Sequence, residues 1–294
     1  MSRLFAHIVL GLLRALQHLP LAVQAALGVA LGRALYVLAR PRRRVALRNL
    51  ALCLPELDVA QREAIARENF EWIARSFIER GMLWYAPAER LKSLMQVEGD
   101  VGYAEREPAP VMWLVPHFVG LDVAGSTTQL FQSRPVCSVY QKQSNPVFDA
   151  AILAGRIRFG NGAIYSRHEK ALPLIRAIRR GWAFFNLPDM DFGPGEAAFV
   201  PFFGVPAATL LAPSKMARSL GMKVQPVVAE ILPGGAGYRI RYLDPWPDFP
   251  TDDPVADARR MNAWIETEVR RNPSQYLWVH RRFKTRPPGE PSLY

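Results

Sequence analysis

Five apolar residues stand together in Val111–Val115 (VMWLV), and Pro116 ends the run. A strand with one solvated face alternates polar and apolar residues. This one does not, which marks it as a buried central strand. Similar short runs recur at Val136–Tyr140 and Trp182–Leu187. Between them lie stretches with helical spacing: 58–85 (Ile65, Phe70, Ile73 and Phe77), 119–131, 147–159 behind Pro146, and 169–180 before Gly181. Residues 209–220 read as a helix, 224–232 and 238–243 as a hairpin around PGGAG, and 256–271 as the last helix. Strands alternating with helices, with a hairpin among them, predict an α/β fold with a central mixed sheet flanked by helices. The 294 residues suffice for one such domain with an appendage.

The appendage is N-terminal. The first acidic residue is Glu56, and eight arginines with no lysine precede it. Residues 4–40 are dominated by Leu, Ala and Val, with a charge-free stretch from Ala15 to Gly32. One spanning helix of about twenty residues is only marginally satisfied. Arg14, Arg33 and the break at Pro20 equally suit two short helices lying in a membrane interface. The arginines at 40–48 would then face anionic headgroups on the cytoplasmic side. No cleavage pattern of a secretory signal follows. The expected division is a membrane-anchoring segment, 1–45, and a catalytic domain, 46–294. The formal net charge of +11 also suits nucleic acid, but no nucleic-acid motif is present, and the basic residues are interleaved with membrane-type apolar runs. Two isolated cysteines, Cys53 and Cys137, form neither a disulfide framework nor a metal motif.

His117 follows the central strand after one proline, and Asp122 lies five residues on, at the start of the next helix. Catalytic groups of α/β folds gather at the carboxyl ends of strands. A carboxylate reaching back to the imidazole would hold one nitrogen and leave the other as a general base. No G-x-S-x-G nucleophile is present. Asp189 and Asp191 follow the strand at 182–187; two carboxylates so spaced suggest either a metal site or an Asx turn before Gly193-Pro194. The metal reading is set aside, because no further ligand spacing supports it. Arg156 and Arg158 near a helix end offer forks for phosphate or carboxylate oxygens. The tail at 280–287 (HRRFKTRP) is basic, and Tyr276, Trp278 and Phe283 argue that it packs with its charges outward.

HxxxxD after a hydrophobic strand resembles the signature of the glycerolipid and lysophospholipid acyltransferase superfamily. Within it, the chain resembles the late acyltransferases of lipid A biosynthesis, the lauroyl/myristoyl transferases of Gram-negative bacteria. The blocks that carry the resemblance are PHFVGLD (116–122), YQKQSNPVFD (140–149), GRIRFGNG (155–162), LPDMDFGPGEAAFVPFFG (187–204) and QYLWVHRRFKTRPPGEPSLY (275–294). Two departures stand out: Asp122 replaces the family's usual glutamate, and Gln141 replaces an arginine of the second block.

The resemblance implies an O-acyltransferase of lipopolysaccharide or lipooligosaccharide biosynthesis at the cell inner membrane. An acyl chain would pass from acyl–acyl carrier protein to the hydroxyl of a 3-hydroxyacyl chain on a Kdo-bearing lipid A precursor. It implies His117 and Asp122 as catalytic residues, with Arg156 and Asp189 on the substrate side; Arg158 and Asp191, two residues from each, are expected there from their own chemistry. Neither metal nor cofactor is expected, only the carrier protein as co-substrate. Expected partners are that carrier, the lipid A precursor and anionic lipids. The alternative is another acyltransferase of the superfamily, acting on a lysophospholipid or glycolipid.

Overall fold

The computed structural model describes residues 2–160 and 162–294; Met1, and Asn161 of the GRIRFGNG block, lie outside the described residues. The chain opens with α1 (Arg3–Leu16), α2 (Leu21–Leu38), α3 (Arg40–Cys53), α4 (Val59–Ile78), α5 (Arg80–Tyr85) and α6 (Ala88–Lys92). It continues with β1 (Met95–Gly99), α7 (Tyr103–Arg106), β2 (Val111–Leu114), α8 (Leu121–Leu130), β3 (Val136–Tyr140), α9 (Pro146–Arg156) and β4 (Gly162–Ser166). Then come α10 (Leu172–Arg179), β5 (Ala183–Asn186), β6 (Ala197–Phe202), β7 (Val205–Leu210), α11 (Ala212–Ser219), β8 (Lys223–Ile231), β9 (Tyr238–Tyr242) and α12 (Pro254–Arg271).

Seven strands form one mixed sheet in the order β1-β9-β8-β2-β5-β3-β4. The five from β8 to β4 are parallel, whereas β9 pairs antiparallel to β8 and parallel to β1. β2 lies at the centre and is fully buried, as its unbroken apolar run requires, and Trp113 satisfies its indole by donating to Gln225 Oε1 at 3.1 Å. β6 and β7 form a separate hairpin whose turn, Phe203-Gly204, has positive φ at both positions (51° and 75°). That is the backbone of a tight two-residue hairpin turn. The expected helix at 209–220 therefore loses its first residues: Thr209 and Leu210 belong to β7. The short strands β1 and β4 carry no sequence run strong enough to have announced them.

Local chemistry sets several helix starts. Asp58 and Gln61 form a reciprocal capping box on α4. Asn145 accepts from the amides of Val147 and Phe148 at the start of α9, where Pro146 has no amide to satisfy. The expected helix 58–85 is split at Glu79 into α4 and α5.

The N-terminal region forms two helices broken at Pro20, and both pack into the body of the protein. α1 lies against α5 and α9, and α2 lies along α4. The close approach of α2 depends on glycine: a Cβ on Gly32 would fall 2.4 Å from Glu71 Cα, and one on Gly28 2.7 Å from Arg75 Cα. The division expected between 45 and 46 falls inside α3. Among the described residues, Leu21–Leu38 is the one helix long and apolar enough to cross a membrane, and its window is only 28% buried.

Candidate active site

The parallel pairing of β2 with β5 sets the site. Leu114 lies opposite Asn186, and the Val115 amide donates to the Asn186 carbonyl at 2.9 Å. Three residues beyond each partner stand His117 and Asp189, so both loops leave the sheet at the same edge and meet. His117 Nδ1 donates to Asp189 Oδ1 at 2.7 Å, and the His117 amide donates to Oδ2 at 2.9 Å. The bidentate hold fixes the ring and its tautomer and leaves Nε2 for the cleft. Asp189 is 1% exposed. Burial alone would raise its carboxyl, but the charge and hydrogen bonds of His117 and the charge of Arg282 hold it below its ordinary value.

The carboxylate bonded to the His117 imidazole is therefore Asp189, and not Asp122 as its spacing suggested. Asp122, in the first turn of α8, accepts from Arg156 Nε at 2.9 Å and from Arg80 Nε at 3.0 Å. Against the cost of burial, these two guanidinium groups push its carboxyl down to about 2. With one methylene fewer than glutamate and two arginines claiming its oxygens, it forms no ion pair with His117 among the described residues. Its place is to hold two arginine forks side by side. Both bond through Nε, and among the described residues the terminal nitrogens of neither form a hydrogen bond. Arg80 had no sequence signal: it sits where α5 begins, and its proximity to Asp122 arises only when α5 packs on α8.

His117, Asp122, Arg80 and Arg156 line one cleft of about 690 Å³ whose remaining wall is largely apolar, including Ile73, Phe77, Phe184 and Leu187. That volume suits a sizeable organic ligand. A smaller apolar chamber of about 50 Å³ shares Leu121, Asp122, Arg156 and Leu187 with the cleft and continues between α8, α9 and the sheet, past Trp84, Gly125 and Ile164. Gln141 stands on the cleft wall and brings no charge there.

Two residues expected on the substrate side are occupied elsewhere. Arg158 donates to the carbonyls of Leu83 and Ala86, satisfying the end of α5, and its guanidinium rests on the Phe159 ring. Asp191 accepts from the amide of Gly193 at 2.9 Å, and from both the amide and hydroxyl of Thr285 at 2.8 Å. It is the Asx turn, extended into a tie to the C-terminal segment.

That segment, 275–294, packs as its aromatic residues predict, and it forms the back of the site. Leu277 donates its amide to the His117 carbonyl at 3.0 Å, and Val119 donates to the Gln275 carbonyl at 2.9 Å. Asn49 of α3 holds the Trp278 and His280 carbonyls, both at 2.7 Å. His280 accepts from the Asp191 amide at 3.2 Å; burial first, then the charge of His117, lowers its imidazole to about 4. Arg282, read as part of a basic outer rim, is 3% exposed and points inward.

The chain has known relatives. The family model for bacterial lipid A biosynthesis acyltransferases matches residues 1–285. The chain belongs to this family. It is 32% identical to a lipid A biosynthesis lauroyltransferase of Escherichia coli strain K12, over 97% of this chain and 93% of the relative. It is 34% identical to a lipid A biosynthesis palmitoleoyltransferase of the same strain, over 97% and 92%. A myristoyltransferase of lipid A biosynthesis from that strain is 33% identical over 90% of this chain and 82% of its own length. Those three transfer different chains by name, so membership of the lipid A acyltransferases establishes the reaction class and leaves the chain open. In this acyltransferase, the histidine held by Asp189 and the pair of cationic forks share one cleft.

Proposed function

We propose that the enzyme transfers a fatty acyl chain from acyl–acyl carrier protein to the hydroxyl of a 3-hydroxyacyl chain on a Kdo-bearing lipid A precursor. The observation that carries this is the hold of Asp189 on His117 Nδ1, beside the Arg80–Asp122–Arg156 cluster in a mostly apolar cleft. His117 Nε2 takes the proton of the acceptor hydroxyl as its oxygen attacks the thioester carbonyl. The tetrahedral intermediate expels the carrier's thiolate, and His117 returns the proton to that sulfur. Asp189 stays ionised throughout and stabilises the imidazolium. Arg80 and Arg156 supply forks for phosphate oxygens of the bis-phosphorylated precursor, and the apolar chamber suits the end of an acyl chain.

The protein works at the cytoplasmic face of the inner membrane in this reading. Leu4, Phe5, Ile8 and Leu12 of α1 are exposed, as are Val23, Leu27 and Leu31 of α2. The opposite flank of α2 is locked to α4, and a helix so packed suits insertion into one leaflet rather than a span. The arginine-rich N-terminus adds attraction to anionic headgroups.

Purified enzyme is tested with acyl–acyl carrier protein and either the Kdo-bearing precursor or a lysophospholipid, with products read by mass spectrometry. A gain of one acyl mass on the precursor, absent in His117→Ala, is expected. Acylation of the lysophospholipid alone would replace this acceptor with the glycerolipid one. Flotation with phosphatidylglycerol vesicles, weakened by Ile8→Asp with Leu12→Asp, tests the leaflet-bound placement.

A further inference from the structure

A second, smaller cavity touches the His117–Asp189 pair, and Arg282 lies on its wall with Tyr276, His280 and Cys53. Arg282 is 3% exposed, yet among the described residues no carboxylate forms an ion pair with it. Its fork donates to neutral acceptors, the Ala208 carbonyl at 2.7 Å and Thr209 Oγ1 at 2.9 Å. Among the described residues its Nε has no partner, and its guanidinium lies over the Phe202 ring, 5.4 Å from the centroid. A buried cation held only by neutral groups is costly unless a counter-charge lies close by. The buried carboxylates of this region are Asp189 and Asp191. Asp191 is consumed by Gly193 and Thr285, whereas Asp189 shares the cavity wall with Arg282.

We infer that Arg282 is a positioning residue that acts through Asp189, keeping its carboxylate ionised while His117 is still neutral. A base must begin neutral, and in that state His117 offers Asp189 hydrogen bonds but no charge. The groups facing Asp189 are His117 from the β2–α8 loop, Asn49 and Cys53 from α3, and Tyr276, His280 and Arg282 from the C-terminal segment, with Asp191 on its own loop. Burial keeps the Cys53 thiol and Tyr276 hydroxyl protonated, and it keeps the His280 imidazole neutral. Asn49 has no charge. Among the described residues, Arg282 is then the one formal cation on that wall in the resting enzyme. Without it, a carboxyl as buried as Asp189 would drift towards its neutral form, and a carboxylic acid cannot stabilise the imidazolium.

The inference rests on the proposed His117–Asp189 pair, and the acyl-transfer assay separates the two. In Arg282→Met the acidic limb of kcat/KM should move to higher pH by roughly one unit. Arg282→Lys, which keeps the charge but loses the fork, should leave the limb near that of the parent even if the protein is less stable. A purely structural role predicts lower activity with the limb unmoved in both, and that result overturns the inference. Should Arg282→Met fail to fold, Asp189→Asn and the double variant Asp189→Asn/Arg282→Met are melted side by side. Removing both charges together should give a protein that folds and melts no lower than Asp189→Asn; a double variant that also fails to fold overturns the inference. Full activity in Asp189→Asn itself would instead discard the underlying pair. An inactive Asp189→Asn with an unmoved limb in Arg282→Met would discard only the role of Arg282.

Discussion

Asp189 grips His117 twice, through Nδ1 at 2.7 Å and through the backbone amide at 2.9 Å, so one carboxylate fixes both the ring and the loop that carries it. Asp189→Asn should therefore lower kcat by about 10³–10⁴-fold through the wrong tautomer, with acceptor KM little changed. Steady-state kinetics decide this, and a KM effect alone would remove Asp189 from the proton transfer.

Asp122→Asn should behave differently. Its oxygens serve Arg80 and Arg156, so the loss falls on the arrangement of the two forks. A rise in KM for the phosphorylated acceptor is expected, with a stability loss of about 2 kcal/mol for charge-assisted hydrogen bonds. Denaturant unfolding and KM together check it.

Arg156 and Arg158, two residues apart, should separate cleanly. Arg156→Met should raise acceptor KM, because its guanidinium faces the cleft. Arg158→Met should leave KM in place and lower the melting temperature, because its donors satisfy the Leu83 and Ala86 carbonyls.

Acid should weaken the fold in two steps. The His280 imidazole titrates near its ordinary value when unfolded but at about 4 when folded. Stability is complete above the unfolded value and falls as pH drops from about 6.5 towards 4, as the unfolded chain takes up the proton. Asp122, held at about 2, adds stability present above its unfolded value of about 3.9 and lost as pH falls towards 2. His280→Asn should remove the first step and leave the second, as read by thermal melts across that range.

The apolar chamber makes a prediction about product. A Cβ on Gly125 would meet only Phe185 Cζ, at 4.0 Å, so Gly125→Leu fits α8 and fills chamber space. Its product should carry a shorter chain, as read by mass spectrometry. Gly155→Ala has no such room, because its Cβ would fall 2.4 Å from Trp84 Cδ1, and about 1–3 kcal/mol of stability should be lost instead.

The buried strand Val111–Leu114, the helices around it, the break at Pro20 and His117 beyond the strand's carboxyl end were all legible in the order of residues, because they follow from local periodicity and from proline geometry. The partner of His117 was not, because an aspartate five residues away looked nearer than one seventy-two away. Only the parallel register of β2 on β5, Leu114 opposite Asn186, carries Asp189 to the imidazole and frees Asp122 for Arg80 and Arg156. Spacing along the chain measures distance along one strand or helix. Which carboxylate meets the base is decided between strands, and there the sheet's hydrogen bonds set the register. The same holds for Arg282, whose basic neighbours suggested a solvated rim until the packing of the C-terminal segment buried it behind the site.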